Sequence, residues 1–217
     1  MKPLKVFVHL PKCGGTSVDA NLRHHYGDRF FQYVGKKDNM AFKQHQKTGF
    51  RNVEIMTIHN GLFKYETAFE GIETSFFSVC RDPVSAAVSM FNFATTAKHT
   101  QNYTRVKGLD FWQFMSLSHK IPIWAPNFQS YYLAGQRSWQ AVQARLVALD
   151  LNMAALADLN AVYHDMTGHH MDPTLDRNKS EKRLNASDLS PKELSIVTEL
   201  FDVDMRLWDQ VMAKGDQ

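Results

Sequence analysis

The stretch Val6–Leu22, VFVHLPKCGGTSVDANL, sets an apolar run, a turn of Pro, Lys and Gly, a Thr-Ser pair and a helical pattern in that order. A strand that feeds a helix through a glycine turn leaves backbone N–H groups unpaired at the helix start. Those donors and the helix dipole together make an anion site. Gly14 and Gly15 permit close backbone approach, Thr16 and Ser17 add hydroxyls, and Lys12 supplies a point charge. The usual phosphate loop reads G-x-x-x-x-G-K-[ST]. Here Gly15-Thr16-Ser17 stands in the G-K-[ST] place, so Thr replaces Lys and the cation moves upstream to Lys12. Cys13 lies inside the turn, where a helix start can lower a thiol pKa; the plainer reading is a small residue that fits.

Leu4–Leu10, Asn52–His59 and Thr74–Cys80 each read as a short buried strand, followed by a polar turn and helix-like sequence. The first of those helices spans Thr16–Tyr26, with Gly27 just past its end. This alternation predicts βαβ units and an α/β fold: a three-layer, P-loop-like arrangement with a central parallel sheet flanked by helices. The polar, basic segment 35–51 reads as a loop or short helix. From Asp110 onward DFWQFMSLS, NFQSYYLAG and SWQAVQARLVALDL read as helices, and residues 167–185 as a long loop. The C-terminal segment predicts one helix, with Ser190 as N-cap, Pro191 in the first turn, Glu193 closing a capping box and Gly215 as the stop. With no repeat or linker, the 217 residues read as one domain, 1–217.

A second motif, FFSVCRDPVSAAVSMFNF, ends a strand at Cys80 and opens a helix with Asp82-Pro83. Arg81 then sits at the carboxyl end of a parallel strand, where α/β sheets bind ligands. Its forked guanidinium suits phosphate oxygens. Ser89 lies on the same helix face as Ser85.

VHLPKCGGTS and FSVCRDPVSAAVS together resemble the PAPS-dependent sulfotransferases, in particular the carbohydrate and Golgi-type branch and its bacterial relatives. That family carries a P-K-x-G-[GS]-T-[ST] loop for the 5′-phosphosulfate of 3′-phosphoadenylyl sulfate (PAPS; product PAP) and an R-D-P…S segment for its 3′-phosphate. The segment from Lys182 to Val211 is similar to the family's closing segment, and NFQSYYLAG to a piece that follows the 3′-phosphate helix. Ser85-Ala86 stands where many relatives have Glu-Arg, and Tyr131 where many have a basic residue.

The resemblance implies a transferase that passes a sulfuryl group to an acceptor hydroxyl of a glycan or small molecule by in-line transfer. It implies Lys12 and residues Cys13, Gly14, Gly15, Thr16 and Ser17 on the 5′-phosphosulfate. Arg81, Ser89 and Arg183 fall on the 3′-phosphate, with Lys179 and Lys182 as weaker choices. His59 closes a central strand and is the expected base, with Glu66 and Glu70 in reserve. His9 reads as a buried, satisfied side chain. The pair His169-His170 on a loop is no ligand set by itself, and no metal is implied. The alternatives are a P-loop kinase, for which the run RLVALD ending at Asp150 would be a magnesium-binding strand, and a nucleotide-binding protein without catalysis.

A net charge of +3 gives no global field for duplex nucleic acid. No run reaches the ~18 apolar residues of a membrane span. Two cysteines and no signal-peptide core suggest a reducing, cytoplasmic setting.

Overall fold

The computed structural model describes residues 3–59, 61–100, 102–122, 124–175 and 183–215. Lys179 and Lys182 lie outside the described residues, as does the side chain of Glu66. Five parallel strands form one sheet: β1 (Leu4–Val8), β2 (Phe30–Tyr33), β3 (Ile55–Ile58), β4 (Thr74–Cys80) and β5 (Asn152–Ala155), in the order β2-β3-β1-β4-β5. The helices are α1 (Gly15–Tyr26), α2 (Asn39–Lys47), α3 (Pro83–Thr96), α4 (Tyr103–Val106) and α5 (Phe111–Ser118), then α6 (Phe128–Ala134), α7 (Trp139–Ala148), α8 (Leu159–Thr167), α9 (Pro191–Leu200) and α10 (Asp202–Gly215). They surround the sheet, as the alternation of apolar runs and helical patterns predicts.

β1 is the central strand because it is apolar on both faces; Val6, Phe7 and Val8 are each at most 1% exposed. It pairs with β3 through Val8↔Ile58 and with β4 through Val8↔Ser78. The chain therefore moves to one side of β1 for β2 and β3, then crosses to the other side for β4 and β5. The loops after β1 and β4 leave adjacent strands at the carboxyl edge, at the point where the chain changes side. Open α/β sheets bind ligands at such a crevice.

Several sequence expectations need correction. The apolar strands are shorter than their runs, Leu4–Val8 and Ile55–Ile58. The edge strands β2 and β5 were not expected; β5, NMAA, carries weak strand formers and is held by pairing with β4. Segment 35–51, read as a loop or short helix, does contain the short helix α2, whose single buried residue, Phe42, leaves little periodic signal. RLVALD is the end of α7 and its turn, with Asp150 at φ 46, so no strand carries that aspartate. The C-terminal stripe is two helices, because the chain breaks at Phe201 (φ −104, ψ 30) between α9 and α10. The expected capping box is present: the Ser190 N–H donates to Glu193 Oε2 at 2.8 Å and the Glu193 N–H to Ser190 Oγ at 3.4 Å.

The core has two parts. One lies around the sheet; the other joins α3, α5 and α9 through Phe91, Phe114 and Val197. No helix of the described residues is long and apolar enough to cross a membrane.

Candidate active site at the carboxyl edge

The turn after β1 runs through the left-handed region twice, at Lys12 (φ 66) and Gly14 (φ 77). For Lys12, which carries a Cβ, that conformation costs about 1–2 kcal/mol. Among the described residues, no backbone acceptor pairs with the N–H groups of Gly14, Gly15 or Thr16, whereas Ser17 and Val18 already donate to the Gly14 carbonyl. Free donors thus point out of the start of a twelve-residue helix.

Gly15 is required for a second reason. A Cβ there would lie 2.1–2.3 Å from three atoms of the His9 ring. At Gly14 a Cβ would meet Leu159 and Leu156 at 2.8 and 2.9 Å. The turn is therefore gripped between His9 and the start of α8.

Lys12 and Arg81 come together as the motifs suggest. Arg81 Nη1 donates to the Lys12 carbonyl at 3.4 Å, and Lys12 Nζ stands 4.2 Å over the Phe93 ring of α3. Burial, and then the Arg81 charge, push the Lys12 ammonium down to about 8. Asp82 caps α3 by accepting from the Ser85 N–H at 2.7 Å. Among the described residues neither cation has an acid partner. Two cations on adjacent loops, close enough for one charge to depress the other's pKa and without an acid among the described residues, sit beside free N–H groups and suit an anion. Ser89 is half-buried on α3, one turn before Phe93. Cys13 is buried and donates to Gln129 Oε1 at 3.3 Å; burial pushes its thiol well up, so the helix start does not make it a thiolate.

Arg183 is tied to α3 at its backbone, whose N–H donates to Asn92 Oδ1 at 3.0 Å. Its guanidinium lies 5.2 Å from the Phe91 ring centre and donates to the Lys107 and Leu109 carbonyls at 3.4 and 3.3 Å. It is near the helix that carries Ser89 but is not joined to Arg81.

His59 follows β3 directly and is 21% exposed at its side chain. Its Nε2 lies 2.8 Å from Asp19 Oδ2 and 3.0 Å from His9 Nδ1. Asp19 sits on α1, one turn from Gly15, and is 7% exposed at its side chain. Gln32 of β2 donates to Asp19 Oδ2 at 2.8 Å, with its own amide oxygen held by Arg23 Nη2 at 2.8 Å. Burial raises the Asp19 pKa, but the hydrogen bond from His59 and the His9 ring beside it outweigh that and hold the carboxyl well below the usual range. Burial lowers His9, against the pull of Asp19. His9 is buried and partnered, as its sequence position suggested, but its partner is the expected base. Glu70 is exposed.

The atoms of His9, Asp19 and His59 lie close enough to share one cation, at the ~2.0–2.2 Å of zinc–nitrogen and zinc–oxygen bonds. The Gln32 amide nitrogen, fixed by Arg23, also faces His59 Nε2 at 3.3 Å. With its oxygen held by Arg23, that amide offers donors and adds no ligand for a cation.

Sequence reasoning missed Gln129, Asn127 and Asp204. Gln129 holds Arg81 by both backbone groups, accepting from its N–H and donating to its carbonyl, each at 2.9 Å. Gln129 is in turn fixed by reciprocal caps. Asp204 Oδ2 and Oδ1 accept from the Gln129 and Ser130 N–H groups at 3.1 and 2.8 Å. Asn127 Oδ1 accepts from the Val203 and Asp204 N–H groups at 3.0 and 2.9 Å. Asn127 as N-cap of α6 was the one local signal.

A cleft of ≈ 690 Å³ opens at the opposite, amino edge of the sheet, lined by Lys5, Arg29, Glu54 and His169 among others. Arg29 and Glu54 pair there at 2.8 Å, and neither motif reaches it.

No family model and no curated protein matches the chain. Among solved structures, a sulfotransferase from Alicyclobacillus acidocaldarius is similar in fold, with a TM-score of 0.55 over 94% of this chain and 93% of that chain, at 15% sequence identity. The chain thus has a sulfotransferase-like fold.

Proposed function

We propose that the chain is an enzyme that moves a sulfuryl group from PAPS to an acceptor hydroxyl on a glycan or small molecule. The observation that carries this reading is the meeting of Lys12 and Arg81, one from each motif, with no acid partner among the described residues. A donor with two separated anionic groups fits two cations on adjacent loops. The fold likeness to a protein titled a sulfotransferase supports the same class. In this reading residues 1–217 act as one domain, in the cytoplasm, where the two buried free cysteines stay reduced.

PAPS supplies the activated sulfuryl group and a phosphate leaving group. The N–H groups of Gly14, Gly15 and Thr16 and the Lys12 ammonium hold the 5′-phosphosulfate and stabilise charge on the leaving oxygen. Arg81 and Ser89 hold the 3′-phosphate. Arg183 joins them by giving up its two long bonds to the Lys107 and Leu109 carbonyls. His59 takes the acceptor proton. Positioning and charge carry most of such a transfer.

The test is calorimetry with PAP, AMP and ATP. A charge-assisted contact is worth about 1.5–3 kcal/mol, so PAP is expected to bind about tenfold or more tighter than AMP. Arg81→Met should remove most of that difference. Equal affinities for PAP and AMP refute the donor assignment, and magnesium-dependent turnover of ATP would make the chain a kinase.

A further inference from the structure

The group around His59 has more order than a base in a pocket needs. Three nitrogens surround one carboxylate oxygen: His59 Nε2 at 2.8 Å, Gln32 Nε2 at 2.8 Å and His9 Nδ1 at 3.6 Å from Asp19 Oδ2. The other oxygen, Oδ1, is buried with no hydrogen-bond partner among the described residues.

Proton positions follow from these distances. A bare His59 Nε2 would set a lone pair against a carboxylate oxygen at 2.8 Å, so Nε2 carries the proton. His9 Nδ1 lies 3.0 Å from that same nitrogen and cannot carry a second proton there. It accepts, and the His59 proton is shared between Asp19 and His9. The Gln32 amide cannot flip to offer its oxygen, because Arg23 holds that oxygen. Every polar contact described for the His59 ring is at Nε2, and with Nε2 protonated the Gln32 amide at 3.3 Å bonds to Asp19 rather than to the ring. Nδ1 is the nitrogen left to face a substrate.

We propose that Asp19 is a positioning residue that fixes His59 as the Nε2–H tautomer, leaving Nδ1 as the atom that takes the acceptor proton. The base role rests on the sulfotransferase reading; the tautomer does not. As the acceptor oxygen bonds to sulfur, its O–H proton moves to Nδ1, and the electron pair of the broken sulfur–oxygen bond leaves with the nucleotide phosphate. The imidazolium so formed keeps its Nε2–H on Asp19, whose charge stabilises it. The groups around His59 are Asp19 from α1, His9 after β1, Gln32 from β2 with Arg23 behind it, and the Lys12 charge beyond His9. Asp19 is the single anion in that set. The position of Asp19 couples the two halves of the site. It lies one turn from Gly15, whose missing Cβ makes room for His9.

The test joins NMR with kinetics. Nitrogen-15 imidazole spectra of the wild-type protein at pH 8 should show His59 as Nε2–H, and Asp19→Asn should shift the ring toward Nδ1–H. In PAPS turnover, Asp19→Asn should lower kcat about 10- to 100-fold. PAP affinity should stay within about twofold of wild type, because no anion contact is lost. An Nδ1–H ring in the wild type overturns the proposal, as does a tautomer or kcat that Asp19→Asn leaves unchanged. If Asp19→Asn does not fold, the wild-type tautomer still decides. The donor reading fails separately, by failure to bind PAP, while the spectra report on His59 in either case.

Discussion

Lys12 is expected to take up a proton when the donor binds. Its ammonium is pushed down to about 8 by burial and by Arg81. In the free protein at pH 8 about half of the molecules therefore carry a neutral Lys12. A bound phosphate-type anion favours the charged form, and each neutral lysine then gains a proton. PAP itself is fully ionised at that pH, since the second phosphate ionisation lies near ~6. Uptake should be about 0.1 proton per PAP at pH 7, about 0.5 at pH 8 and about 0.9 at pH 9. Neighbouring groups do not mimic this: burial pushes the Cys13 thiol well up, and His9 is held low. The sign is fixed: affinity falls as pH rises through 8, by up to tenfold per unit if neutral Lys12 contributes nothing. The assay is titration calorimetry of PAP in two buffers of different ionisation enthalpy at each pH. Lys12→Met should abolish the uptake and weaken binding about 10- to 150-fold at pH 7. Absent uptake at pH 9, or uptake that persists in Lys12→Met, refutes the placement of Lys12 on the anion.

Gly15→Ala should force a Cβ into the His9 ring, now 2.1–2.3 Å away; the expected cost is about 1–3 kcal/mol by urea unfolding, with a loss of turnover larger than the loss of PAP affinity. Asp204→Ala should strip the caps from Gln129 and Ser130 and cost about 1–3 kcal/mol, with a fall in PAP affinity as Gln129 loosens Arg81. Burial raises Asp204 from 3.8 to about 6. Below its unfolded value both states are protonated; between 3.8 and about 6 the folded state binds more protons, so the Asp204 contribution to stability rises as pH falls through that window. The difference in unfolding free energy between wild type and Asp204→Asn should follow that slope, and a flat difference would contradict it.

What the sequence determined by itself was local. A glycine-rich turn between an apolar run and a helical pattern can fold in few ways, and it specified the loop after β1. Asp82-Pro83 marked the start of α3, and Ser190 with Glu193 marked α9, because capping is settled within four residues. The buried strands β1, β3 and β4 were legible from their apolar runs. Strands β2 and β5 were not, because four residues at a sheet edge carry too little pattern and are held by their neighbours. Only the tertiary structure brought His9, Asp19 and His59 together across separations of up to 50 residues. Only it joined Gln129 to Arg81 across 48. Nothing within one helix or strand turn distinguishes Asp19 from a solvated acid on α1. Its role depends on the register of β1 against β3, which sets His9 beside His59, and on the angle at which α1 leaves Gly15.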